Sequence, residues 1–81
     1  MERIWFGASK TPKGEVQYYL LKETCGEGSA YGILVALEYE SAEIHRITVR
    51  FSEIQQLLQA MLRGTVTPVT VRDIVEDWLA R

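Results

Sequence analysis

Two stretches near the end of this chain carry the same apolar spacing, and that spacing restricts the fold more than any other feature. Ile54, Leu57, Leu58, Met61 and Leu62 recur at offsets of 0, 3, 4, 7 and 8, as do Val71, Ile74, Val75, Trp78 and Leu79. Such offsets gather all five side chains on one face of an α-helix. Each helix is therefore one-sided and needs an apolar surface to lie on. The fifty residues before them supply it, because they read as β-strands.

The strand pattern is an alternation interrupted by turn residues. Residues 2–9 place Ile4, Phe6 and Ala8 on one side and Arg3 and Trp5 on the other, as an edge strand would. Lys10 to Gly14 contains Pro12 and reads as a turn. Residues 15–24 form a second strand, with Val16, Tyr18 and Leu20 opposed to Gln17, Tyr19 and Leu21. Cys25 to Ser29 is a second turn. Its two glycines join strand to strand, whereas a phosphate-cradling loop opens a helix. Residues 30–39 are apolar on both sides, which places this strand centrally. Glu40 to Ala42 turns the chain. Residues 43–51 then set His45, Ile47, Val49 and Phe51 against Ile44, Arg46, Thr48 and Arg50.

Helix boundaries are also legible. Ser52-Glu53-Ile54-Gln55 has the form of a capping box, Gly64 that of a C-terminal stop, and Thr70 that of a second N-cap with Asp73 in its first turn. The predicted fold is α+β: a four-stranded antiparallel meander with two C-terminal helices on one face, in the order ββββαα. Short connections between neighbours favour that strand order. At 81 residues the chain is read as a single domain, 1–81.

Two helices cover one face of four strands and leave the other without a helix. By alternation the outer face carries Trp5, Tyr19, Leu21, Leu34 and Ala36, ringed by Arg3, Gln17, Glu23, Arg46, Thr48 and Arg50. An apolar centre with a charged rim has the composition of a binding surface. Trp5, Tyr19, Leu21, Leu34, Ala36, Arg46 and Arg50 are therefore the candidate interface, with a homodimer or another protein as partner.

Composition narrows the chemistry. Hydrophobic residues make up 47% and charged residues 25%, as in folded globular proteins, and the net charge of −2 does not suit a general affinity for DNA or an anionic membrane. The single Cys25 has no partner for an internal disulfide, which fits a reducing cytoplasm. No signal peptide and no membrane span are read. His45 is the only histidine and has no second metal-ligating residue near it, so neither a cofactor nor a metal is expected. Asp73, Glu76 and Asp77 make the exposed side of the second helix acidic. That side reads as a solvated face with Arg72–Glu76 and Asp77–Arg81 pairs, or else as a docking patch for a basic partner. Trp78 belongs to the apolar stripe and is expected in the core.

The segment from Pro68 to Leu79, PVTVRDIVEDWL, resembles the C-terminal signature of a small uncharacterised family found in Firmicutes, a domain of unknown function. Tyr31-Gly32-Ile33 is similar to a second short stretch of that family. The resemblance implies a cytoplasmic bacterial protein and no particular activity. The sequence itself supports a small non-enzymatic interaction or self-association module acting through the outer sheet face. The alternative is a single-stranded RNA binder that would stack bases on Trp5 and Tyr19 beside Arg3, Arg46 and Arg50. An enzyme has no recognisable catalytic group here.

Overall fold

The computed structural model describes residues 1–80. Four strands, β1 (Glu2–Thr11), β2 (Gly14–Cys25), β3 (Gly28–Leu37) and β4 (Glu40–Thr48), precede helices α1 (Phe51–Gly64) and α2 (Val71–Leu79). The strands form one antiparallel sheet in the order β1-β2-β3-β4. The ββββαα architecture is the one the sequence pattern predicts. Each hairpin closes through two residues: Pro12-Lys13, Gly26-Glu27 and Glu38-Tyr39. The third turn therefore lies ahead of the expected Glu40–Ala42. Glu38 accepts a φ of +54°, so β4 can begin at Glu40.

The core lies between one sheet face and the helices. Val16, Tyr18, Leu20, Ile33, Val35 and Leu37 face Ile54, Leu57, Leu58, Met61, Val71 and Val75. The α1 stripe is buried as its spacing dictates, with Leu62 half-buried at the end. The α2 stripe is only partly used. Val71 and Val75 are buried and Trp78 is half-buried, while Ile74 and Leu79 stay exposed. The reason is position: α2 lies along β4 at the margin of the sheet, where there is too little strand to cover a five-residue face.

Two bulges change the expected alternation. In β1, Trp5 pairs with Tyr19 and Gly7 with Tyr18, so Phe6 is an extra residue that packs on the core. Beyond it the parity flips. Gly7 and Ser9 face the helices, and Ala8 turns to the outer face instead of joining Ile4 and Phe6. Ile4 keeps the inner side but remains 43% exposed. In β4, Ile44 pairs with Ile33 and Thr48 with Tyr31, which leaves His45, Arg46 and Ile47 opposite Gly32 alone. Ile44 and Ile47 thus both pack on the core, whereas strict alternation opposed them. Val49 is 74% exposed, and Phe51 opens α1 with its ring edge-on to Tyr31 at 5.7 Å.

Gly32 makes the second bulge sterically possible. A Cβ there would run into the Ile44 carbonyl oxygen and would sit 2.9 Å from the His45 Cα. Both obstacles are backbone and cannot swing aside. Gly32→Ala should therefore destabilise the fold by about 3 kcal/mol, at the upper end of overpacking penalties. A urea melt that keeps its wild-type midpoint would show that the bulge does not need glycine.

The helix ends differ from the predicted caps. α1 starts at Phe51, so Arg50 takes the N-cap position and Ser52 is already inside the helix with no capping bond. The first turn is tied down otherwise. The Thr48 hydroxyl donates to the Glu53 carboxylate at 2.6 Å and accepts the Arg50 backbone N–H at 3.2 Å. At the other end the helix runs through Gly64, and Thr65 adopts the left-handed conformation, φ 49° and ψ 53°. A β-branched residue resists that geometry. Its hydroxyl meets the Ser9 hydroxyl at 2.9 Å, which helps to hold it there. Thr70 holds the N-cap position of α2, but its hydroxyl turns back toward Thr67 and makes no cap bond. We expect Ser52→Ala to shift stability by less than about 0.5 kcal/mol, as for an ordinary surface change. Thr48→Val should cost about 1 kcal/mol through the lost hydrogen bonds. Equal urea midpoints for the two variants would contradict this assignment.

Candidate functional site

The outer sheet face is built from register. Trp5 on β1 stands opposite Tyr19 on β2, which stands opposite Leu34 on β3; Leu21 pairs with Gly32, and Gln17 with Ala36. The structure thus brings Trp5, Tyr19, Leu21, Leu34 and Ala36 onto one surface. Their burial is uneven. Trp5 is 58% exposed and Tyr19 and Ala36 are half-buried, but Leu21 and Leu34 are only 2% and 5% exposed in the single chain. Leu34 is therefore not the open centre that alternation suggests. A charge at Leu34 would disturb the fold itself as well as any interface.

These leucines face away from the helices, and polar residues stand in register with them. Arg3 is in register with Leu21 and Glu43 with Leu34. The Arg3 guanidinium meets the Glu43 carboxylate at 3.6 Å, a link that spans both central strands. His45 Nε2 approaches the same carboxylate at 3.0 Å. Beside them Arg46 donates to both Glu23 oxygens, at 2.9 and 3.3 Å. These exposed pairs add little stability individually. Leu21, Leu34 and Ala30 are nonetheless buried, on the strands beside the β4 bulge.

Trp5 stands apart from this cover. Its indole N–H donates to Gln17 Oε1 at 2.7 Å, and the Gln17 amide donates to Glu15 at 2.6 Å. The ring is held in place while its apolar area stays in solvent. Arg46 reaches the face from the bulge, at a φ of +54°. Arg50 does not join it: the chain has left the sheet by then, and Arg50 sits at the start of α1. Thr48 likewise turns to the helix side, where it bonds Glu53.

The remaining sequence candidates are dispersed. Trp78 is half-buried and packs on the core from its edge. Arg72–Glu76 is not among the ion pairs of the described residues, and Asp77–Arg81 lies outside them. Among the described residues no three His, Cys, Asp or Glu side chains come together as a metal site would require. Among the described residues no helix is long and apolar enough to cross a membrane. Periodicity did not reveal that Ile74 and Leu79, which line hollows shared with Trp78, stay exposed, or that Val49 does. The short β4 and the early start of α1 leave Val49 outside the sheet.

Electrostatics on the outer face are local. The two hydrogen bonds from Arg46 hold the Glu23 carboxyl below the usual carboxylate range, opposed by some desolvation and helped by the nearby charges of Arg46 and His45. A depressed acid favours the folded state above its unfolded pKa, and this contribution fades as pH falls through the folded value. In a carboxyl-carbon NMR titration, Arg46→Gln should return the Glu23 midpoint upward to the ordinary range. An unmoved midpoint would mean that the pair does not persist in solution.

Residues 6–81 match a family of unknown function, DUF6514, and the chain belongs to that family. No curated protein and no solved structure matches it.

Proposed function

We propose that this member of the DUF6514 family is a non-enzymatic protein-interaction module that pairs with a second copy of itself through the outer sheet face. The observation that carries the reading is Trp5: a large aromatic, 58% exposed, with its indole held by Gln17 of the neighbouring strand. Held aromatics of this kind anchor interfaces because little side-chain freedom is left to lose on binding. Tyr19 and Ala36 extend the contact, and the Arg3–Glu43 and Arg46–Glu23 pairs form its polar rim.

Charge supports a like partner. Arg3, Lys10 and Arg46 are balanced on this face by Glu15, Glu23 and Glu43, so a two-fold arrangement can set each sign against its opposite. Four strands of this length present roughly 600 Å² per copy, which places a dimer near the lower edge of standard interfaces. An RNA reading is less favoured: Arg3 and Arg46 already hold carboxylates, and Arg50 lies off the sheet. The lone Cys25 and the family resemblance fit a bacterial cytoplasmic setting.

Light scattering after size exclusion tests the proposal. The wild-type chain should run as a dimer at high concentration. Trp5→Ala should weaken it by about 2 kcal/mol, near thirtyfold in dissociation constant, while the melting midpoint of the dilute, monomeric chain stays unchanged. A wild-type mass equal to one chain at every concentration would refute self-association, and co-purifying nucleic acid, seen in the 260/280 nm ratio, would favour the RNA reading.

A further inference from the structure

We draw no further inference here: the strongest candidate, the groove of about 400 Å³ between α1 and α2 lined by Leu57, Ala60, Arg63, Ile74, Asp77 and Trp78, carries charges of both signs, and nothing in the structure shows what covers it.

Discussion

The close approach of the β4 backbone to Gly32 governs the path of the whole C-terminal half of the chain. Three residues of β4 stand opposite one of β3, and the space for them exists because Gly32 has no side chain. The bulge turns both Ile44 and Ile47 to the core and pushes Arg46 outward to Glu23. It also displaces the end of β4, so Thr48 reaches the helix side and fixes the first turn of α1 through Glu53. Start, direction and cover of α1 are all set by that anchor.

A second anchor secures the far end of the helical layer. Tyr18 is fully buried beneath the helices, and its hydroxyl donates to the Val66 carbonyl at 2.7 Å. Burial pushes its phenol up from the ordinary value, since an ionised oxygen would be poorly solvated there. The connector between the helices is thus pinned to the middle of the sheet, while Thr65 and Ser9 hold the end of α1 over β1. With both ends of α1 fixed across the sheet, only the β4 margin remains for α2. That geometry leaves a groove between the helices and keeps Trp78 half-buried.

The outer sheet face is uneven. Its leucines are buried within the single chain, while the Trp5 indole, held by Gln17, stays exposed among charges of both signs.

Local pattern alone determined the element order, the antiparallel meander and nearly the whole helix-facing core. Alternation and 3.6-residue spacing are set by covalent geometry and survive in any context. The α1 stripe from Ile54 to Met61 and the strand positions Val16, Tyr18, Leu20, Ile33 and Val35 were readable for that reason. The membership of Trp5, Tyr19, Leu21, Leu34 and Ala36 in one face was readable too. Tertiary structure decided what those residues experience. Bulges at Phe6 and at His45–Ile47 leave no periodic signature, so the exposure of Val49, the inward turn of Ile44 and the departure of Arg50 from the sheet were hidden. Ser52 looked like a cap because capping residues are recognised by type, but the Thr48–Glu53 contact chose an earlier start. Arg3 and Glu43, forty residues apart, pair across the outer face, and only the folded register brings such partners together.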